Sequence, residues 1–202
     1  MHDVDDRPDT RGLFVRASEQ AGYFTSAQAH ALGYSPQLLS YHADHGRFER
    51  LRRGLYRLRD YPSSPREEVM AAWLAAGRES AVVSHESALE ILDLSDVAPT
   101  AIHLLVPRGR RWLRALPGVT AHTTADPLAP HEIVTRQGLR ITAPMRTILD
   151  VAEAGTAPEQ VIMAVAQARE RGLLLPTRLR AEAARRDRRV RDLIERALDQ
   201  AA

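Results

Sequence analysis

Thr25-Ser26-Ala27-Gln28-Ala29-His30-Ala31-Leu32-Gly33-Tyr34-Ser35-Pro36-Gln37-Leu38-Leu39-Ser40-Tyr41-His42-Ala43-Asp44-His45-Gly46-Arg47-Phe48-Glu49-Arg50-Leu51-Arg52-Arg53-Gly54-Leu55-Tyr56-Arg57-Leu58 decides the fold of the N-terminal third of this chain. Thr25 and Gln28 make the Thr-x-x-Gln pattern, in which two side chains satisfy the orphan amides of a helix start. Gly33 supplies the stop. A second helix begins almost at once. Ser35 is a good N-cap, and Pro36 takes the first helical position, where its missing amide costs nothing. Tyr34 and Leu39 occupy the positions of a hydrophobic staple. Gly46 ends this helix. Two short helices separated by Gly33-Tyr34-Ser35 have helix-turn-helix spacing. The residues that follow read as two short strands carrying Leu51, Tyr56 and Leu58, with Arg53-Gly54 as the turn. A hairpin directly after a helix-turn-helix is a wing.

Upstream, residues 9–20 read as a helix with Leu13, Phe14 and Ala17 on its apolar stripe. Residues 1–9 carry Asp3, Asp5 and Asp6 and read as a disordered acidic arm. The winged helix-turn-helix then spans 10–60. On its last helix the i, i+3, i+4 rule turns Leu39, His42 and Ala43 inward and leaves Gln37, Ser40, Tyr41 and Asp44 outward. A recognition helix uses its first turns on base edges. Gln37 suits adenine, Ser40 a base or a phosphate, and Tyr41 a phosphate. Six arginines (Arg47, Arg50, Arg52, Arg53, Arg57 and Arg59) stand against Glu49 and Asp60 between positions 47 and 60. Clustered charge of this sign is the footprint of a polyanion. The expected DNA-contacting set is Ser35, Gln37, Ser40, Tyr41, Asp44, Arg47, Arg50, Arg52, Arg53 and Arg57. The competing reading is an ordinary polar surface on a protein-binding winged helix.

Gly22-Tyr23-Phe24-Thr25, Gly33-Tyr34-Ser35, Gly46-Arg47-Phe48-Glu49-Arg50 and Arg53-Gly54-Leu55-Tyr56-Arg57-Leu58 resemble, in order and spacing, the N-terminal domain of AbiEi-type antitoxins of type IV toxin–antitoxin systems. Ser84-His85-Glu86-Ser87-Ala88 resembles the helix that opens that family's second domain. Thr142-Ala143-Pro144-Met145-Arg146-Thr147-Ile148-Leu149-Asp150 resembles a recurrent element of it. Together they cover about residues 10–175. His42 departs from the pattern, standing where the family usually has an aliphatic residue. The resemblance implies a winged helix that binds double-stranded operator DNA and represses the protein's own operon. It also implies a second domain with a part in dimer or operator contacts and in neutralisation. The implied partner is a nucleotidyltransferase toxin, met without the need for a stable complex. A homodimer on DNA is compatible with this picture. The alternative is a stand-alone winged-helix regulator whose second domain senses a ligand or dimerises.

Tyr61-Pro62-Ser63-Ser64 reads as a linker, so the second domain is expected over 64–202. There Ser64, Pro65 and Glu67 look like a helix start, with Val69, Ala72, Trp73 and Ala76 on one face. Residues 81–83, 102–106, 118–123 and 139–142 are strand candidates. Helices are expected over 84–92, from Pro144, over 158–171 and over 177–198. The fold class is α+β: a winged helix-turn-helix followed by a helix-rich mixed α/β domain.

Composition narrows the chemistry. The chain has 202 residues, 44% of them hydrophobic, enough to bury a real core, and it has no cysteine, which excludes disulfides and thiolate metal sites. No apolar run has the length of a membrane helix, and the acidic start is unlike a signal peptide, so a cytoplasmic protein with no membrane partner is expected. Every basic side chain is arginine. Part of that is coding bias, so position carries more than number. Arg108, Arg110, Arg111 and Arg114 form a second basic patch, either a contact to DNA or to an acidic protein surface, or an exposed turn. The arginines of 169–191 read as the solvated face of an amphipathic helix. His42 and His45 lack further ligands at metal-binding spacing. Ser84-His85-Glu86 is contiguous, whereas triads are assembled from distant segments. Asp93, Asp96 and Asp150 would have to cluster to make a metal-nuclease site. There is no phosphate-cradling glycine loop. No catalytic residue, metal or cofactor is expected. Arg146 and Asp150, four apart, are expected to pair within their helix.

Overall fold

Asp9 starts the first helix by accepting from the Gly12 amide at 2.8 Å, which caps α1 (Thr10–Ser18). The structure, a computed structural model, describes residues 7–109 and 116–201. Asp3, Asp5 and Asp6 of the expected arm, and Arg110, Arg111 and Arg114 of the second basic patch, lie outside the described residues. Asp9 itself, counted with the arm, is fixed: besides capping α1, its amide donates to Leu32 O at 2.8 Å.

The chain then runs through β1 (Tyr23–Thr25), α2 (Ser26–His30), α3 (Pro36–Asp44), β2 (Phe48–Arg52), β3 (Leu55–Leu58) and α4 (Glu67–Ala76). The capping box is present in full: the Gln28 amide donates to Thr25 Oγ1 at 3.2 Å and the Thr25 amide to Gln28 Oε1 at 2.8 Å. Ser35 Oγ accepts from the Leu38 amide at 3.1 Å and caps α3, with Pro36 in its first turn. The strands form an antiparallel sheet with β3 in the centre, β1 on one side and β2 on the other. Leu13, Ala17, Phe24, Ala29, Tyr34, Leu39, Phe48 and Tyr56 make one continuous core beneath it.

Three expectations fail here. Phe14 is 56% exposed, so the apolar stripe of α1 is carried by Leu13 and Ala17. Ser64 does not cap α4; that helix starts at Glu67 behind Arg66, with no side-chain cap bond. The division between units also falls later than 61–64. Contacts cluster residues 1–79 with 137–139 as one unit, and residues 80–136 with 140–202 as the other. The helix α4 packs on β1 and β3 and completes the first unit.

The second unit holds β4 (Val82–Val83), α5 (His85–Leu92), β5 (Ile102–Pro107), β6 (Val119–Thr124), β7 (Ile133–Arg136), β8 (Leu139–Thr142, all but its first residue), α6 (Pro144–Ala154), α7 (Pro158–Glu170), α8 (Pro176–Ala183) and α9 (Arg188–Gln200). Its sheet order is β6-β5-β4-β8-β7, with β4 antiparallel to β5 and parallel to β8, and β5 parallel to β6. The strand β7 was not foreseen. The expected single helix over 177–198 is two, because Asp187 accepts from the Val190 amide at 2.9 Å and starts α9 afresh. The expected pair is formed: Arg146 Nε donates to Asp150 Oδ1 at 2.7 Å, and Arg146 also reaches Glu132 Oε1 at 2.8 Å. Burial pushes the Asp150 carboxyl up to about 6, against the pull of Arg146. Among the described residues no helix is long and apolar enough to cross a membrane.

Three imidazoles meet at the junction of α5, β5 and β6. His85 stacks on His122 with centroids 3.4 Å apart, and His103 Nδ1 lies 3.0 Å from His122 Nε2. Ser84 Oγ, 2.9 Å from His85 Nδ1, and Glu86, 4.0 Å from His103 Nε2, complete the cluster. Burial lowers His85 to about 2 and His122 to about 4, and the neighbouring imidazoles add to both shifts. The unfolded chain takes up these protons near 6.5, while the folded chain resists them. Stability is therefore complete above about pH 6.5 and drains away as the pH falls toward 4. Asp150 works in the opposite sense between 6 and 3.8, with a smaller shift. Denaturant titrations at pH 7, 6, 5 and 4 should show stability falling with pH. His122→Gln should flatten that slope by up to about 1.4 kcal/mol per pH unit.

Candidate nucleic-acid interface

Burial sorts α3 by face. Leu39 is buried and His42 and Ala43 are half-buried, while Gln37, Ser40, Tyr41 and Asp44 are exposed. His42 packs edge-on against Phe48 at 5.1 Å and against Tyr34 at 6.0 Å. Its pKa is lowered, first by desolvation and then by Arg47 and His45. His42 is thus a neutral packing residue. Tyr41 is 53% exposed, yet its ring is not loose: it stacks on His45 with centroids 3.9 Å apart. His45 Nδ1 in turn lies 2.8 Å from Tyr41 O. A large amphipathic side chain is therefore held out from the surface in one orientation. Ser35, exposed at the helix start, accepts a backbone bond and keeps its own hydroxyl hydrogen to donate.

The hairpin continues this surface. Phe48 is buried at its base, and Glu49, Arg50, Leu51, Arg52 and Arg53 are all exposed. Pairing runs Phe48↔Leu58, Glu49↔Arg57, Arg50↔Tyr56 and then Arg52↔Leu55, so the register slips at Leu51. A bulge of this kind re-aims side chains. Here it turns Leu51 outward, 41% exposed, where alternation with Tyr56 and Leu58 had placed it on the apolar face. Gly54, with φ of +78°, makes the turn, and its carbonyl accepts from the Ser26 amide at 2.9 Å. The tip is thereby tied to the start of α2.

Arg57 leaves the expected contact set. On the central strand β3 it is half-buried. It donates to Tyr61 O at 2.8 Å and Pro62 O at 3.2 Å, pairs with Glu67 at 3.2 Å, and lies over the Tyr23 ring at 5.6 Å. Each of those partners belongs to the chain itself and is reached through one terminal nitrogen, so Arg57 is turned toward the fold. Arg59, which the expected set omitted, stands on the edge instead. It is exposed, and its amide donates to Arg47 O at 3.2 Å. The signal was the hairpin register, because pairing Phe48 with Leu58 puts 47 opposite 59. The exposed edge thus carries Arg47, Arg50, Arg52, Arg53 and Arg59 against Asp44, Glu49 and Asp60. Such a surface can meet phosphates along the hairpin and base edges along α3.

Residues 13–59 match the family model of the AbiEi antitoxin transcriptional regulators. The AbiEi match runs from within α1 through β3 and therefore takes in every residue of the exposed edge except Asp60. It ends before the second unit, so Ser84–Ala88 and the stretch from Thr142 to Asp150 stand outside it. Comparison with curated proteins gives no match. Among solved structures, the RV2827C protein from Mycobacterium tuberculosis is similar in fold, with a TM-score of 0.63 at 14% identity over 98% of this chain and 79% of that one. Among the described residues no group of three or more histidines or carboxylates is placed to hold a metal ion. Of the second basic patch only Arg108 is described, and it is exposed.

The division between internal and outward arginines is measurable. Arg57→Ala strands Glu67 and two carbonyls and should lower the unfolding free energy by about 1–3 kcal/mol. Arg52→Ala should leave it unchanged. Chemical denaturation of the two variants compares them directly.

Proposed function

We propose that the chain is a DNA-binding transcriptional repressor whose first unit is a winged helix-turn-helix, acting in the cytoplasm as the antitoxin of a type IV toxin–antitoxin system. It represses its own operon and counteracts a nucleotidyltransferase toxin, and it is not an enzyme. One observation carries the DNA reading. A helix with Gln37, Ser40, Tyr41 and Asp44 outward runs directly into a hairpin with Arg50, Arg52 and Arg53 outward, inside the segment that matches a family of transcriptional regulators. The element order supports it: a helix and short strand, two helices with a tight connection, then a hairpin with exposed arginines at its tip. Gln37 and Ser40 enter the major groove on the first turns of α3. Tyr41, Arg47 and Arg59 meet the backbone, and Arg52 and Arg53 follow the adjacent minor groove or its phosphates. The antitoxin role rests on the family description of residues 13–59 alone. A second reading, a stand-alone regulator with a sensing or dimerising second unit, is favoured by the match stopping short of that unit.

A mobility shift on the DNA upstream of the gene, against scrambled DNA at two salt concentrations, should show specific, salt-sensitive retention. Tyr41→Ala should weaken it with the fold intact. Replacing Arg52 and Arg53 together should reduce the slope of log K against log salt by about 2, since each lost phosphate contact removes about 0.9. Unchanged binding in both variants would place the interface elsewhere. Rescue of growth on co-expression with an adjacent toxin gene separates the antitoxin from the stand-alone regulator.

A further inference from the structure

Within the second unit the N-terminal turn of α6, the loop 172–175 and α8 enclose a cavity of about 540 Å³. That lies in the range of small-molecule sites, about 300–1,000 Å³. Its lining is mixed. Met145, Leu149, Leu173, Leu174 and Leu175 supply apolar surface, and Leu175 at the end of the loop is 60% exposed. The charged part of the lining is Arg146, Arg178, Arg185 and Arg186 with Glu132 and Glu182.

The internal pairing decides what is left for a ligand. Glu132 is taken by Arg146, Glu182 by Arg185, and Arg186 is bound to Glu153 at 2.7 Å. Arg178 has no hydrogen bond or ion pair among the described residues. The start of α6 adds to this field. Ala143, its N-cap, has no side-chain acceptor, and Pro144 has no amide, so the next two amides, of Met145 and Arg146, begin the helix without a cap. The positive end of an eleven-residue helix and an unpaired guanidinium therefore line the same cavity. One free fork and two amides suit a single negative charge with two acceptor oxygens. The leucines of the lining give an apolar body surface to cover.

We propose that this cavity binds a small carboxylate with an apolar body, the carboxylate at Arg178 and the first turn of α6, the body along Leu173, Leu174 and Leu175. The site belongs to the second unit and does not rest on the DNA reading of the first.

Calorimetric titration of the full chain with acetate, butyrate, hexanoate, octanoate and inorganic phosphate tests it. Octanoate should bind saturably at one site per chain. Affinity should rise with each methylene, by at most about fourfold per group. Arg178 and Leu175 are exposed, so Arg178→Glu and Leu175→Asp should melt at the temperature of the parent chain. Each should weaken octanoate at least about tenfold, the cost of a lost charge-assisted bond or a lost apolar contact of this size. Absence of saturable octanoate binding would overturn the proposal. So would equal affinity for acetate and octanoate, preference for phosphate, or unchanged binding in folded Arg178→Glu.

Discussion

Phe48 is the residue on which the geometry of the first unit turns. It is 2% exposed, and its ring lies 5.0 Å from Phe24, 5.1 Å from His42 and 6.0 Å from Tyr34. Those three rings belong to β1, to α3 and to the connection before α3. Phe48 itself opens β2. One side chain thus fixes the helix and the hairpin relative to each other. Edge-to-face aromatic contacts have a preferred geometry as well as a burial term, so they set an angle where aliphatic packing would set only a distance. From Phe48 the contact runs outward through His42 to Tyr41 and His45. The exposed tyrosine is therefore the end of a packed series that begins in the core. A surface meant to hold several groups in register gains from such mounting, because little ordering is left to do on contact.

Charge tells the same story by its absence from some places. In a chain whose basic residues are all arginine, the number of positive groups says little about function. What separates the arginines is how many of their donors the fold has already used. Arg57 and Arg146 sit among carboxylates and carbonyls and order their surroundings. Arg180, Arg185, Arg186 and Arg188 are matched by acids on or beside their own helices, and their segment behaves as a solvated face. Arg50, Arg52 and Arg53 project from a strand and turn whose backbone is already paired. Only the last kind can release counterions on meeting a polyanion.

Helix starts were legible because they are written locally. The capping box at Thr25 and Gln28 and the Ser35-Pro36 start each need only a few adjacent residues and are formed as read, and Tyr34 and Leu39 are both buried in one core. The Arg146–Asp150 pair is local in the same way. What failed depends on partners distant in sequence. Leu51 faces out because of a bulge, which is a property of two strands together; alternation along one strand assumes an unbroken register. Arg57 looked like Arg52 because nothing nearby reveals that Glu67 and Tyr61 will close around it. The first unit extends past 61–64 because α4 packs back against β1 and β3, across the stretch that reads as a linker. The break at Asp187 was written locally, as an N-cap, and was masked by arginine periodicity running on through it.

The second unit is organised differently, around buried polar junctions. Thr147 Oγ1 lies 2.7 Å from Thr142 Oγ1 and 2.9 Å from Thr142 O, which welds the end of β8 to the first turn of α6. Arg146 joins that helix to Glu132 and to Asp150. Ser87 Oγ accepts from the His103 amide at 2.9 Å and joins α5 to β5 beside the stacked imidazoles. Junctions of this type add little net stability, since their desolvation offsets most of the attraction. They are costly to break, however, because each loss strands a buried partner. Several of these residues, Ser87, Thr142, Arg146, Thr147 and Asp150, belong to the two strings that looked family-like in sequence. Their spacing has a structural use, because each takes part in a hydrogen bond that joins neighbouring elements or turns. Arg146, which lines the cavity beside α6, is held by that closure, because moving it would leave Asp150 Oδ1 and Glu132 unpaired.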